Sequence, residues 1–587
     1  MAAWAVVLAL AVALAVVVVA TASSSAGTSV IVFPIPGSRV AAPGTQVTFR
    51  GIPVGRFGRI TVTGSKSGVH TGVVLSDSDG QGGSFVPIHT FTPGETVTVG
   101  TALRINDARR GTFSFTVASP AGAIPQVTPT SIPRSAGDVW HFASRPDLTP
   151  AAVKVDKASS AAGGGDLLVA SLEGPLQNGS EILGPDGDLI YFKPVPKGES
   201  TTDFRSQTYQ GKPVLTWWQG TLSTAGNGQG DDEIYDSSYR PVTTVRAGNG
   251  LMADLHEFQI TGRGRALVTA EYPVYWNASS VKGAISHEIV FDAVVQEIDI
   301  PTGLVLYQWD SLDHVPVTAS YQPPPADTGY PWDYFHVNSI QQLSDGSLLV
   351  SSRNTWAVYK VSHRTGGIDW TLGGKQSSFT MGSGTRFAFQ HDARIRPGDE
   401  MTVFDDGAGP PVVHQQSRGL TLRLDTSAMS ARVVLADTHT PPLRAAYEGN
   451  VQRLPNGDDL VGWGQQPYLS EFDSHGDEVF DARFVSATDS YRAYRFPWTG
   501  SPVTLPAAVT RRSGNATSVI VSWNGTTSTR GWRVLAGSAP SSLSPVRTVA
   551  KTSFETTVQL PRAYPYVAVQ ALGAQGQVLA TSATTRG

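Results

Sequence analysis

Apolar and polar residues alternate in short runs along most of this chain, with glycine, proline, aspartate and serine between the runs. From residue 28 to 120 they read SVIVFPI, QVTFRGI, RITVTG, HTGVVLS, GSFVPI, TVTVG and GTFSFTVAS. Such period-two alternation broken by turn residues predicts short, half-buried strands. Their spacing of about ten residues is that of an all-β sandwich of Ig-like type. Residues 501–587 return to the pattern in TSVIVSWNG, RGWRVLAGS, SFETTVQL and YPYVAVQAL. No run keeps the 3.6-residue period of a helix.

The stretch between these ends adds a longer repeat. A strand–turn–strand unit reads DLHEFQITGRGRALVTAEYPV from Asp254, FHVNSIQQLSDGSLLVSSRNTW from Phe335 and FQHDARIRPGDEMTVFDDGAG from Phe389. In each copy an isoleucine (Ile260, Ile340, Ile395) stands four places after a histidine. A fourth copy, GNVQRLPNGDDLVGWGQQPYL from Gly449, carries Asn450 in the histidine's slot. GSEILGPDGDLIYFKPV (179–195) and VVQEIDIPTGLVLYQWDS (294–311) repeat the framework without a histidine. YKVSHRTGGIDWTLGG (359–374) and LSEFDSHGDEVFDARF (469–484) read as further hairpins. Some six groups of about 60 residues each match the four-stranded blades of a β-propeller.

The predicted organisation is therefore an N-terminal segment (1–27), an Ig-like β-sandwich (28–120), a linker rich in proline and small residues (121–136), a six-bladed β-propeller (137–500) and a second sandwich (501–587). Trp523 after an alternating run and Tyr566 late in the last segment give that sandwich a fibronectin-III-like pattern. The first segment is apolar without a break from Ala2 to Ala20, and Ala20-Thr21-Ala22 offers a cleavage site. It lacks a positive n-region, so two readings stand: a cleaved signal peptide, or an uncleaved membrane anchor. Either one exports the chain, to be secreted or held at the cell surface, where the sandwiches would be free to make contacts.

Composition narrows the function. Of 587 residues 40% are hydrophobic and 16% charged, with 61 glycines and 39 prolines, as many strands and tight turns require. A net charge of −4 and the lack of any basic stripe interleaved with aromatics argue against a nucleic-acid partner. Cysteine is absent, which excludes disulfides and thiolate metal sites. The chain contains no G-x-x-x-x-G-K-[ST] loop, G-x-S-x-G elbow or H-E-x-x-H pair. GNGQGDDE (227–234) reads as a flexible acidic loop with a small prior for calcium. His287, His314, His363, His414, His439 and His475 fall in loops or turns and read as solvated.

In a propeller the innermost strand of every blade lines the central channel, so one repeated slot on several blades points at one place. His256, His336 and His391 would then face one another. Strand alternation would place Asn338, two residues after His336, on the same face, and Arg353 follows the next strand of that unit. A lone strand histidine is more often half-buried and bonded to backbone. Three at matching positions, replaced in the fourth copy, favour a site. The residues alone leave three readings: acid–base and nucleophilic chemistry, a three-histidine metal centre with a bound water, or a non-catalytic cell-surface propeller binding carbohydrate or protein. Arg353 beside the imidazoles disfavours a cation.

HFASRPDLTP (141–150), YQGKPVLTWWQG (209–220), DYFHVNSIQQLSDGSLLVSSRNTWAVYKV (333–361), GGIDWTLGGK (366–375), FAFQHDARI (387–395) and YRAYRFPWTG (491–500) resemble the arylsulfotransferase (ASST) family, its actinobacterial and fungal branch most of all. The resemblance implies a six-bladed propeller that moves a sulfuryl group from a phenolic sulfate ester to an acceptor phenol. No nucleotide or other cofactor takes part, and the intermediate is a sulfohistidine. By motif, His391 corresponds to the sulfated histidine, His256 and His336 to the other channel histidines, Asn338 to the family's asparagine and Arg353 to its arginine. The expected roles are attack on sulfur by His391 and an oxygen clamp of Arg353, Asn338 and one histidine. His256 or His336 would transfer the proton, with His256 favoured for the clamp and His336 for the proton.

Overall fold

The computed structural model describes residues 30–106, 108–127 and 135–587. The N-terminal segment 1–27 and residues 128–134 of the linker lie outside the described residues. Among the described residues the chain is nearly all β, and its α-helix is one four-residue turn, Ser311–His314. No helix among them is long and apolar enough to cross a membrane.

Residues 31–116 fold into two four-stranded antiparallel sheets. Alternation does the work: in Thr96–Gly100 the two valines are buried and the threonines exposed. Val97 and Val99 meet Phe49, Phe113 and Phe115 in one core. Residues 507–586 form a three-stranded and a five-stranded sheet around Trp532, Val519, Val534 and Val569.

Between them stand six four- or five-stranded sheets whose strands run outward from an inner one. The inner strands are β1 (Ser200–Tyr209), β2 (Phe258–Thr261), β3 (Val337–Gln342), β4 (His391–Arg396), β5 (Asn450–Arg453) and β6 (Tyr494–Phe496). Each lies beside the next, and β6 lies beside β1. Two strands distant in sequence complete the ring: β6 adds to the sheet of Asp166–Ser171, and Val153–Lys157 adds to Glu478–Phe484.

An inner strand has a free edge of unpaired N–H and C=O groups, and in this ring side-chain amides satisfy it. Gln207 on β1 donates to Phe258 O (2.9 Å) and accepts from Ile260 N–H (2.8 Å) on β2. Gln341 on β3 bonds Ile395 of β4 through both its amide atoms (3.0 and 2.7 Å). Gln452 on β5 does the same to Arg495 of β6 (3.0 and 2.7 Å). An amide carries one donor and one acceptor side by side, which is what a strand edge presents.

Beneath the site described below, the ring's axis is filled by charge. Arg492, with a wholly buried side chain, donates to Asp203 (2.8 Å), Glu257 (3.2 Å) and Asn338 O (2.8 Å). Glu257 also holds Arg205 (2.6 Å) and Arg394. Three arginines (205, 394, 492) face three carboxylates (203, 257, 392), and those arginines hold the Glu257 carboxyl well below the ordinary range against the cost of burial.

Several expectations are corrected. GNGQGDDE is no loop: Gly228–Tyr235 is a strand with alternating burial, held between Lys212–Ser223 and Pro241–Val245. The pairing of both its edges outweighs its glycines and acids. Of the histidines read as solvated, His439 is buried against Tyr468 and Trp463, and His314 and His363 stack on Trp309 and Tyr307. Asn450 does not occupy the histidine's place. It bridges to Ala493 O and N–H (2.8 and 2.9 Å), much as Asn338 bridges to Gln390 O.

Candidate active site

At one end of the ring a cavity of about 660 Å³ is lined by His256, His336, His391 and Arg353 together. Local backbone aims each of them. His256 sits in the turn entering β2, and Asp254 ahead of it is fixed by Gly228 N–H (2.6 Å). His336 precedes β3 with φ +57°, a left-handed conformation rare for a non-glycine residue. A bulge follows at Val337/Ser339, and a second separates His391 from Arg394, with Asp392 at φ +54°. A bulge re-aims the side chains beside it. The hairpin of β3 returns Arg353 opposite His336, where Arg353 N–H donates to His336 O (2.9 Å).

These bulges break the alternation expected to put Asn338 beside His336. Asn338 is completely buried, is not among the cavity-lining residues, and donates to Gln390 O (2.7 Å), just ahead of His391. It steadies the strand that carries His391 and does not open into the cavity.

Each imidazole is backed by a carboxylate that local sequence reading missed. His256 Nδ1 meets Asp254 Oδ2, His336 Nδ1 meets Asp333 Oδ2, and His391 Nδ1 lies 2.9 Å from Asp406 Oδ2. Asp254 and Asp333 stand two and three residues before their histidines, in the strings DLH and DYFH. Asp406 arrives from the end of the neighbouring strand, and nothing in the sequence around His391 announces it. The imidazoles of His256 and His336 are 4.6 Å apart, edge to face, and Tyr491 packs edge-on to both His256 and His391.

The protonation of His391 follows from its neighbours. Its Nε2 accepts a hydrogen bond from Glu448 N–H (3.2 Å), so that nitrogen carries a lone pair, and the proton sits on Nδ1 and is donated to Asp406. Burial, with Arg353 and the other two imidazoles, holds His391 well below its ordinary range. Burial lowers His336 too, against the pull of Asp333. It also pushes the Asp406 carboxyl well up, although Arg353 opposes the shift. The Glu448 N–H decides that pair: a protonated Asp406 would need the His391 proton on Nε2, where another donor already points.

Arg353 donates to Asn354 Oδ1 (2.7 Å) and Ala446 O (2.9 Å) and lies 4.9 Å over the Phe389 ring. It makes no ion pair among the described residues, in contrast to the three arginines of the axis. The fourth repeat reaches the cavity through Glu448. This residue stands two before the bridging Asn450 as His336 stands two before Asn338, and it too has positive φ (+69°).

Three carboxylate-backed imidazoles and a guanidinium with no carboxylate of its own share one open-mouthed cavity, an arrangement able to hold an anion. Residues 205–485, a little under half of the chain, match the family model described as Arylsulfotransferase (ASST), and this region is similar to that family. No curated protein matches it. Among solved structures it is similar to a protein of unknown function from Bacteroides caccae, at 15% identity, 56% of this chain, 98% of the other and a TM-score of 0.34. It is also similar to an auxiliary nutrient binding protein from Bacteroides thetaiotaomicron VPI-5482, at 11% identity, 84% and 95% coverage and a TM-score of 0.28.

Proposed function

We propose that this chain is a nucleotide-independent aryl sulfotransferase that passes a sulfuryl group from a phenolic sulfate ester to an acceptor phenol through a sulfohistidine on His391. We read the six-sheet ring as a six-bladed propeller, and the flanking sheet pairs as sandwiches of Ig-like and fibronectin-III-like type on an exported protein. The observation that carries the reading is His391: its Nδ1 proton is committed to Asp406, and its unprotonated Nε2, which accepts from Glu448 N–H at rest and would exchange that hydrogen bond for sulfur, belongs to a residue lining the cavity that also holds Arg353.

In the first half-reaction the Nε2 lone pair forms the N–S bond as the S–O bond to the aryl group breaks, and the electron pair leaves on the phenolate. Sulfuryl transfer resembles phosphoryl transfer in its loose transition state, so positioning and charge stabilisation dominate. Arg353 holds one oxygen as a planar donor. His256 and His336, backed by Asp254 and Asp333, stand towards the remaining oxygens, and the ester's negative charge favours the charged form of His336 against its burial. Both rings are backed alike, so the expected division into clamp and proton donor has no counterpart in the geometry. Trp332, Tyr330, Tyr447 and Pro323 offer flat apolar surface for the aryl group. The second half-reaction reverses these steps with the acceptor phenol.

The test is His391→Asn, assayed with 4-nitrophenyl sulfate and phenol. Parent protein quenched after donor alone should gain one sulfuryl group on the peptide holding His391, and the variant should lose both label and turnover. Unchanged turnover in the variant removes the assignment.

A further inference from the structure

We infer that Glu448 is a catalytic acid–base of this site, protonating the departing phenolate oxygen and later taking the proton of the acceptor phenol. The inference rests on the sulfotransferase reading above and extends it to a residue from the fourth repeat.

Bookkeeping of protons raises the question. On that reading the donor's three non-bridging oxygens go to Arg353, His256 and His336, which are spent there as hydrogen-bond donors. His391 offers a lone pair and no proton. The fourth oxygen, which bridges sulfur and ring, still needs an acid, because a simple phenol has a pKa of about 10 and its anion leaves poorly.

Glu448 fits that need by place and by surroundings. It lines the cavity, and its own N–H touches the attacking nitrogen of His391 at 3.2 Å, so its carboxyl is tethered within one side chain of the reacting centre. The residue is only 9% exposed, and its Oε2 has no hydrogen-bond partner. A buried carboxyl oxygen without a partner costs stability, and a catalytic role is one reason such a group persists beside a cavity. The left-handed backbone at Glu448 is a further strained feature held at the cavity wall. Burial, Asp489 and Glu173 together push this carboxyl well up, which keeps a proton on it near neutral pH. Lining the same cavity, Tyr447 brings a hydroxyl and no countercharge, and Arg353 is turned to Asn354 and Ala446 O.

The steps balance. As the S–O bond breaks, the Glu448 carboxyl gives its proton to the phenolate oxygen, leaving a carboxylate beside the sulfohistidine. In the second half-reaction that carboxylate takes the acceptor's phenolic proton as the acceptor oxygen bonds to sulfur.

Leaving-group acidity reads this role directly. Parent and Glu448→Gln are compared with phenyl sulfate and 4-nitrophenyl sulfate, whose phenolate is stable without a proton. The amide keeps the backbone N–H and the volume but has no proton to give. The expected result is a loss of about 10²–10⁴-fold in kcat/KM on phenyl sulfate, and a much smaller loss on the nitro ester. An equal loss on both esters, or none on either, overturns the role. Glu448→Ala with added formate is the second variant: recovery confined to phenyl sulfate supports the role, and no recovery overturns it. A parent protein that turns over neither ester would instead sink the sulfotransferase reading itself.

Discussion

Asp406→Asn isolates what the carboxylate behind the nucleophile does. In the parent, Asp406 accepts the Nδ1 proton of His391 at 2.9 Å, and both side chains are buried. Attack by Nε2 puts positive charge on the imidazole. With charge centres about 4 Å apart and an effective dielectric of about 20, a full charge gains about 4 kcal/mol from the carboxylate, and a half-developed one about 2 kcal/mol. Loss of the charge alone therefore costs about 30-fold in the sulfation step. The amide adds a second fault. It can donate to Nδ1 and move the imidazole proton to Nε2, removing the attacking lone pair; the wrong tautomer costs about 10⁴-fold in the serine protease triad. Asp406→Ala removes the charge but leaves Glu448 N–H to hold the tautomer, so asparagine should be worse than alanine. The assay is single-turnover release of 4-nitrophenolate in stopped flow, with both variants first shown to be folded. An asparagine variant within tenfold of the parent, or faster than the alanine variant, refutes the assigned tautomer and the role of the carboxylate.

Three other outcomes follow from the same geometry. Arg353→Ala should lower kcat by about 10³-fold, as loss of an arginine that stabilises a transferring group does, and a loss under tenfold by steady-state kinetics would make Arg353 structural. Arg492→Met takes one of three buried arginines from the axis and leaves its three carboxylates one cation short, Asp203 keeping Arg205, and Glu257 keeping Arg205 and Arg394; it should cost about 3–5 kcal/mol in urea unfolding; a change under about 1 kcal/mol would mean that the axis tolerates uncompensated charge. Asp437 is buried near Asp459, and its carboxyl is pushed up to about 8. Between the unfolded value of about 3.9 and that figure the folded chain binds the extra proton, so this group's stabilisation is complete below about 4 and is lost as pH rises towards 8. Asp437→Asn should flatten thermal stability over that window, and a variant that still tracks the parent's slope contradicts it.

The strand–turn–strand units were legible because alternation and turn residues are local. Residues 179–183 with 189–194 and 468–472 with 478–484 pair within one hairpin each. Ring closure was not legible: Val153–Lys157 and Glu478–Phe484 are more than 300 residues apart, and neither string names its partner. The reading of 227–234 failed for a related reason, since composition suggested a loop and two paired edges made it a strand. The structure brings His256, His336 and His391 to one cavity, as a repeat converts a position in sequence into a position around an axis, and Arg353 joins them from the end of the next strand.

Where the reading of the site went astray, the cause was backbone irregularity. Alternation assumes a regular pleat, and the bulge after His336 turned Asn338 from the cavity towards Gln390 O. The fourth repeat's contribution was hidden as well, because its inner strand pairs without the bulge that follows His336 and His391. Counting four residues back from an apolar position picked out Asn450. Counting two back from the amide that bridges inner strands picks out Glu448, which has the positive φ of His336 and reaches the same cavity. The better landmark is the bridge, because its hydrogen bonds fix the backbone, whereas an apolar residue beyond a bulge can slip by one. By that measure the fourth unit did not lose its functional residue. It replaced a base with an acid, and a site that must break one bond to a phenolic oxygen and make another has use for both.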